Sequence, residues 1–131
     1  MAMRKPQIII VDDEESVCRA MSRLIRSLGM DARAFTSSQE FVHVMESEPQ
    51  IAADCVILDV QMPGLSGLQV QAALNLLKTP VPIIFITAHD DADVRERAMT
   101  AGAVALLRKP FGEEALIEQL EAAIGPLPHQ K

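Results

Sequence analysis

The architecture of this chain follows from one segment, Asp54-Cys55-Val56-Ile57-Leu58-Asp59-Val60-Gln61-Met62-Pro63-Gly64. Four apolar residues run into the carboxylate of Asp59, and a Pro-Gly turn follows. Such a run is typical of a strand buried on both faces of a parallel sheet. Asp59 would then lie at the carboxyl end of the strand, the edge at which open α/β sheets bind their ligands. Because a buried carboxylate is costly without a cation, the segment predicts positive charge nearby.

Composition limits the protein classes to consider. The 131 residues suit one domain, and a hydrophobic content of 49% indicates a globular one. No apolar run reaches the roughly 20 residues of a membrane helix, and the run at 8–11 is too short for a signal peptide, so we expect a cytoplasmic protein without membrane contact. A net charge of −6 argues against direct nucleic-acid binding. Cys18 and Cys55 lack disulfide or metal-site spacing and are expected to be buried reduced thiols.

Strand-like and helix-like patterns alternate along the chain. The expected strands are 7–11, 31–35, the run ending at Asp59, 83–86 and 103–107. A helical pattern follows each strand. Apolar faces begin near Val17, Phe41, Val70 and Leu116, and the remaining helix is expected from about Asp91 to Ala101. Helix boundaries are predicted by capping boxes at 37–40 and 66–69, by Gly29 and Gly102, and by breaks at 79–82 and 125–126. Five strands alternating with five helices specify a parallel sheet covered on both faces.

Polar residues follow four of these strands. They are Asp12 and Asp13, Asp59, Thr87, and Lys109. Because the carboxyl ends of parallel strands lie at one edge of the sheet, these residues should converge. Each has an ordinary explanation by itself, such as a helix-dipole partner, a turn residue or a solvated charge. Those separate explanations do not account for the convergence.

The converging set suits phosphoryl chemistry. Three carboxylates held close together repel one another unless a cation joins them, and an oxygen cluster without His or Cys suits Mg²⁺. A lysine supplies a fixed positive charge and a threonine supplies a hydrogen bond, which are what phosphoryl transfer needs. Since an Asp carboxylate can itself accept a phosphoryl group, the hypothesis is Mg²⁺-dependent phosphorylation of Asp59.

Four motifs, in this order, resemble the response-regulator receiver domain of two-component signalling. They are Val11-Asp12-Asp13-Glu14, Leu58-Asp59-Val60-Gln61-Met62-Pro63, Ile86-Thr87-Ala88 and Lys109-Pro110-Phe111. The resemblance covers about 7–124 and implies a flavodoxin-like (βα)5 fold with strand order 2-1-3-4-5. The stretches 34–41 and 87–89 are similar to receivers of the nitrogen-fixation class of regulators. We therefore expect a receiver domain over 1–125 and a tail or linker start over 126–131.

The resemblance implies a catalytic role for three residues. Asp59 resembles the phosphoacceptor. Thr87 resembles the switch hydroxyl that moves toward the phosphoryl group, and Lys109 resembles the lysine that pairs with it. The Lys109–Pro110 bond is usually cis in this family. A receiver of this kind catalyses only its own phosphorylation and dephosphorylation, so we do not expect a turnover enzyme.

The implied cofactor is Mg²⁺. By resemblance its direct ligands would be Asp13, Asp59 and the backbone carbonyl of Gln61, with Asp12 acting largely through water. Gln61 and His89 lie two residues beyond Asp59 and Thr87, at positions that tune hydrolysis of the acyl phosphate in the family.

One position departs from the family pattern. The residue three positions before the lysine is usually aromatic, and here it is Leu106. The aromatic ring normally changes rotamer as the switch threonine moves, and a leucine cannot reproduce that movement. We predict that signal transmission is altered, weakened, or carried by the helix after Thr87 instead.

Partners follow from the resemblance. The phosphoryl donor would be a histidine kinase or a histidine phosphotransfer protein that docks near the first helix and the Asp59 edge. The expected readout face is formed by the last two helices and the strand between them. The chain is expected to be a monomer, with dimerisation on phosphorylation left open. It is either a stand-alone receiver or part of a longer regulator with a DNA-binding output domain.

Three competing functions can be weighed. A haloacid-dehalogenase-type phosphatase has a second Asp two residues after its nucleophile, where this chain has Gln61. A flavodoxin is disfavoured because the chain has no Trp or Tyr to stack on a flavin. A pseudo-receiver, which acts as an interaction module without phosphorylation, is the serious alternative. The complete acid–threonine–lysine set disfavours it, whereas Leu106 keeps it open.

Overall fold

Five strands and five helices alternate along the chain. The structure, a computed structural model, describes residues 5–48, 53–77 and 80–128. In chain order the elements are β1 (Gln7–Val11), α1 (Glu15–Ser27), β2 (Asp31–Phe35), α2 (Ser38–Ser47), β3 (Cys55–Asp59), α3 (Gly67–Asn75), β4 (Ile83–Thr87), α4 (Ala92–Thr100), β5 (Ala105–Arg108) and α5 (Glu113–Ile124). All strand pairs are parallel, in the order β2-β1-β3-β4-β5. The predicted doubly wound sheet and its strand order are confirmed.

The phosphoacceptor candidate Asp59 is the last residue of the central strand of the sheet. β3 is hydrogen-bonded between β1 and β4, and every residue of β3 and β4 is buried. The register pairs Val11 with Leu58, Asp59 with Ile86, and Thr87 with Arg108, so neighbouring strands end at nearly the same level. This register brings the loops that carry the candidate residues to one edge.

Helices cover both faces of the sheet, and each face has its own apolar core. On one face, α2, α3 and α4 bury Phe41, Val70, Leu74 and Ala98 against the sheet. On the other face, α1 and α5 contribute buried side chains, which include Met21, Ile25, Leu116 and Leu120. Leu127, beyond α5, is buried in this second core.

Cys18 and Cys55 are buried free thiols, and burial raises the pKa of Cys55 to about 12.

Several helix ends match the predicted signals. The capping box at Ser66 is complete, since its Oγ accepts from the Gln69 N–H while its own N–H donates to the Gln69 side chain. At Ser37 only half of the predicted box forms, because the hydroxyl accepts from the Glu40 N–H and no return bond is present between these two described residues. Thr79, part of the predicted break after α3, lies outside the described residues, as do 1–4 and 129–131.

The predicted start of the last strand was wrong by two residues. The expected strand began at Ala103, whereas β5 begins at Ala105. The N–H groups of Gly102 and Ala103 instead donate to Met99 and Ala98, and Gly102 has φ +104°. These bonds form a Schellman motif at the end of α4. Because the Ala103 N–H is already bonded there, Ala103 does not join the strand.

Within the described ranges, no helix has the length and apolar content needed to cross a bilayer.

Candidate functional site

The candidate residues converge at the carboxyl edge of the sheet, as the topology predicts. Asp12 and Asp13 follow β1, Asp59 ends β3, Thr87 ends β4 and Lys109 follows β5. Asp12, Asp59 and Thr87 are buried, whereas Asp13 is exposed. The cluster therefore has a dry floor and one side that is open to solvent.

Three carboxylates converge in the site. Asp12, Asp13 and Asp59 each offer an oxygen atom, and these atoms all lie within 4.8 Å of one another. The donor set is entirely oxygen, which is what a hard cation such as Mg²⁺ prefers. Because Asp13 is exposed, an ion held there could keep several of its waters, as Mg²⁺ usually does in proteins. The residues present fit a magnesium ion.

Lys109 supplies the positive charge that the buried carboxylates require. Its Nζ lies 2.8 Å from Asp12 Oδ2, 3.7 Å from Asp59 Oδ1 and 3.8 Å from Glu14 Oε1. The backbone N–H of Lys109 donates to the Thr87 carbonyl at 2.7 Å. This bond holds the start of the loop after β5 against the end of β4. The Lys109–Pro110 peptide bond is cis, as the family resemblance implies.

The local charges shift the pKa values of the two central groups. Burial, and then the nearby charge of Asp12, raise the pKa of Asp59 to about 6, although Lys109 and a hydrogen bond from the Gln61 backbone act in the opposite direction. Burial alone would lower the pKa of Lys109, but its bond to Asp12 and the charge of Asp59 outweigh it and raise that pKa above its usual value. The site therefore holds excess negative charge, which a divalent cation would neutralise.

The Thr87 hydroxyl is bonded within its own loop. Its Oγ1 donates to the His89 carbonyl at 2.9 Å and accepts from the His89 N–H at 3.2 Å. The threonine is 1% exposed, whereas the His89 side chain is exposed. In this conformation the hydroxyl is therefore turned toward the loop between β4 and α4.

The two remaining predicted residues occupy different environments. Gln61 is exposed, and its backbone acts to lower the pKa of the Asp59 carboxylate. Leu106 is buried in β5 beside Phe85 of β4, as part of the core that α2, α3 and α4 cover. Gln61 thus belongs to the edge of the site, whereas Leu106 lies below it in the sheet.

Two residues near the site had no assigned role in the sequence-based prediction. Glu14, which was named only as the last residue of the first motif, lies with its Oε1 atom 3.8 Å from Lys109 Nζ. Gly67 packs directly on the phosphoacceptor strand, since a Cβ added there would lie 2.5 Å from the Asp59 carbonyl oxygen and 2.8 Å from the Val60 Cα. The sequence did carry a signal for this close packing, because a glycine, which is a weak helix former, is the first residue of α3.

Comparison with known proteins decides the family. The profile of the response regulator receiver domain matches residues 8–121. This chain belongs to the response-regulator receiver family. The receiver is 42% identical to response regulator protein TmoT of Ectopseudomonas mendocina, over 95% of this chain and 55% of that protein. It is 32% identical to transcriptional regulatory protein FixJ of Bradyrhizobium diazoefficiens, over 92% of this chain and 57% of that protein.

A solved structure agrees with this assignment. The receiver is 51% identical to a response regulator receiver protein from Burkholderia phymatum, with a TM-score of 0.82 over 95% of this chain and 99% of that one. The receiver spans about half the length of the curated relatives it matches. The family is a signalling domain and not a turnover enzyme, and its acidic pocket binds Mg²⁺.

Proposed function

We propose that this receiver accepts a phosphoryl group on Asp59 from a histidine kinase or a histidine phosphotransfer protein. The observation that carries the proposal is the cluster of Asp12, Asp13 and Asp59 with Lys109 Nζ 3.7 Å from the Asp59 carboxylate. The cluster combines a nucleophilic oxygen, a set of metal ligands and a fixed cation. These are the parts that in-line phosphoryl transfer requires.

In the proposed reaction, an Asp59 oxygen attacks the phosphorus as the phosphorus–nitrogen bond of the donor phosphohistidine breaks, and the departing imidazole nitrogen takes up a proton. Asp13, Asp59 and the Gln61 carbonyl would hold Mg²⁺, with Asp12 acting through water. When bound, Mg²⁺ supplies charge neutralisation between the carboxylates and the incoming phosphoryl oxygens. Lys109 then pairs with a phosphoryl oxygen, which weakens its present bond to Asp12.

The proposed switch begins at Thr87. To reach a phosphoryl oxygen, its hydroxyl must give up its bond to the His89 carbonyl, and the loop between β4 and α4 must adjust. The far end of α4 is tied to α3, because the side-chain amides of Gln71 and Asn75 donate to the carbonyls of Ala98 and Ala101 at 3.0 and 3.1 Å. We infer that movement is greatest in the loop and the first turn of α4.

The buried Leu106 of β5 is consistent with a signal carried through the β4–α4 loop and the first turn of α4. A leucine cannot swing between core and surface as an aromatic ring can. A structure of the receiver activated with beryllofluoride should therefore show displacement at Thr87, at His89 and in the first turn of α4. A large rotamer change at Leu106 would defeat the inference.

We also propose that Gln61 and His89 set the lifetime of the acyl phosphate. Both residues are exposed and lie two positions beyond Asp59 and Thr87, so their side chains could control the approach of a hydrolytic water to Asp59. Substituting both residues with alanine should change the dephosphorylation rate by several fold. An unchanged rate in the double variant would remove this proposal.

The proposal also covers the domain bounds, the output domain, the cellular location and the oligomeric state. We assign residues 1–125 to the receiver and 126–131 to a tail or linker, with a DNA-binding output domain as the expected partner in a longer regulator. We propose a cytoplasmic monomer, with dimerisation on phosphorylation as the alternative. The relatives named as response and transcriptional regulators support this reading.

The test is the intact mass of the receiver after incubation with acetyl phosphate. One added phosphoryl group is expected in the wild type with Mg²⁺, and none without Mg²⁺ or in Asp59→Ala. If no adduct is seen, beryllofluoride with amide NMR separates rapid hydrolysis from an unused site. No response in either measurement would favour the pseudo-receiver, which acts without phosphorylation.

A further inference from the structure

A buried hydroxyl outside the acidic cluster contacts the loop that follows Asp59. Ser38, the first residue of α2, is 1% exposed. Its Oγ accepts a hydrogen bond from the Leu65 N–H at 3.2 Å and donates to the Pro63 carbonyl at 3.4 Å. One side chain therefore joins two backbone groups of a loop that lies more than twenty residues away in sequence.

This loop, residues 60–66, carries the backbone of Gln61. The two ends of the loop are joined, because the Gly67 N–H at the start of α3 donates to the Val60 carbonyl at 2.7 Å, and the Ser66 capping box fixes where the helix begins. Gln61 directly follows Val60 at the β3 end of this loop, and its backbone favours the ionised form of Asp59, which lowers the pKa of that carboxylate. Ser38 holds the middle of the loop, so it limits where the Gln61 carbonyl can point.

A second residue of α2 packs against the same loop. Gly64 has φ +80°, and a Cβ added there would lie 2.9 Å from the Gln39 Oε1 atom. The first turn of α2 therefore fits closely against residues 63–65, with Ser38 providing the hydrogen bonds and Gln39 lying over the glycine.

We propose that Ser38 is a positioning residue for the magnesium site, because it holds the loop that presents the Gln61 carbonyl. This inference rests on the proposed function, in which that carbonyl is a metal ligand. Mg²⁺ demands near-octahedral geometry at short ligand distances, so a small displacement of one ligand weakens binding. Pro63 is exposed and Leu65 is half-buried, so water can replace the lost bonds. Removing the Ser38 hydroxyl should therefore change the position of the Gln61 carbonyl more than it lowers the stability of the fold.

The neighbouring serine offers a matched control. Ser37 caps the same helix by accepting from the Glu40 N–H at 3.1 Å, and it has no hydrogen bond to the loop among the described residues. Ser37→Ala removes the hydroxyl that caps α2 and weakens the helix, as loss of a cap does. Only Ser38→Ala removes the contacts with Pro63 and Leu65.

The experiment compares Mg²⁺ affinity in the wild type, Ser38→Ala and Ser37→Ala, measured by titration calorimetry. Loss of Ser38 should weaken Mg²⁺ binding on the order of tenfold, the lower range for groups that orient a metal ligand. Ser37→Ala should stay within about twofold of the wild type, even though its melting temperature falls. In the metal-free protein, the backbone amide NMR signals of Gln61, Met62, Gly64 and Leu65 should shift in the Ser38 variant and remain in place in the Ser37 variant.

Other outcomes overturn the proposal in distinguishable ways. Equal Mg²⁺ affinity in the two serine variants would mean that Ser38 is only structural. Unshifted loop amides in Ser38→Ala would also refute it. A wild type whose Mg²⁺ binding is absent, or is unaffected by Asp59→Asn, would remove the proposed function together with this inference. If Ser38→Ala does not fold, Ser38→Cys keeps the buried volume with a weaker hydrogen-bonding group, and it should show a smaller loss of affinity.

Discussion

Lys109 Nζ lies 2.8 Å from Asp12 Oδ2 but 3.7 Å from Asp59 Oδ1, so the lysine is bonded to the deepest carboxylate of the site rather than to the phosphoacceptor. Asp12 is fully buried, and its other oxygen accepts from the Glu14 N–H. In this conformation Lys109 therefore stabilises the fold, because its charge compensates the Asp12 carboxylate, which water cannot reach.

Removing the lysine should destabilise the receiver. Lys109→Met leaves Asp12 buried without its cation, and loss of one partner from a buried pair costs about 3 kcal/mol. Urea unfolding near neutral pH measures this cost. The control is Arg95→Met, which breaks an exposed ion pair with Asp90 and should cost far less. Equal losses in the two variants would contradict the structural role of Lys109.

Neutralising the phosphoacceptor should have the opposite effect on stability. The pKa of Asp59 is raised from 3.8 to about 6 because burial and the charge of Asp12 oppose its ionisation. At neutral pH the folded state therefore carries an unfavourable charge, whose removal in Asp59→Asn stabilises the fold by up to about 3 kcal/mol. Asp13→Asn, at an exposed carboxylate, should change stability less. A destabilised Asp59→Asn receiver would refute this account of the site.

The same shift predicts a pH dependence of stability. Between 3.8 and about 6 the folded receiver holds a proton on Asp59 that the unfolded chain has released. Stability from this group is therefore present at low pH and is lost as the pH rises through about 6. The difference in unfolding free energy between Asp59→Asn and the wild type should shrink as the pH is lowered from neutral toward 4. A difference that is independent of pH would show that Asp59 titrates normally.

Much of this fold was predictable because its signals are local. Apolar runs such as 83–86 need no partner to be recognised as buried strands, and parallel pairing then brings their carboxyl ends together. The preference of Lys109 for Asp12 was not predictable, because it depends on distances between loops far apart in sequence. Ser38 was part of a recognised helix start, but nothing local indicated that its hydroxyl would face the loop after β3.

Gly67 provides a test of close packing beneath the site. In Gly67→Ala the new methyl group would meet the Asp59 carbonyl and the Val60 Cα, both of them backbone atoms of the central strand. Since neither can move cheaply, the expected loss of stability is about 2–3 kcal/mol. Gly112→Ala is the control, because nothing lies within 4 Å of a Cβ added there. Thermal unfolding that is similar in the two variants would contradict the close approach of α3 to β3.

Protons and Mg²⁺ should compete for the same oxygen atoms. A protonated Asp59 is a poor metal ligand, and its pKa of about 6 places this competition just below neutral pH. The Mg²⁺ affinity of the wild type should be nearly constant above neutral pH and should fall by up to about tenfold per pH unit below about 6. Titration calorimetry at several pH values measures this slope. In Asp59→Asn the affinity should be weak and lack this step, because the titrating ligand is gone. If the wild type binds Mg²⁺ equally well at pH 5 and pH 7, the ion is held without Asp59, by Asp12, Asp13 and groups outside the cluster.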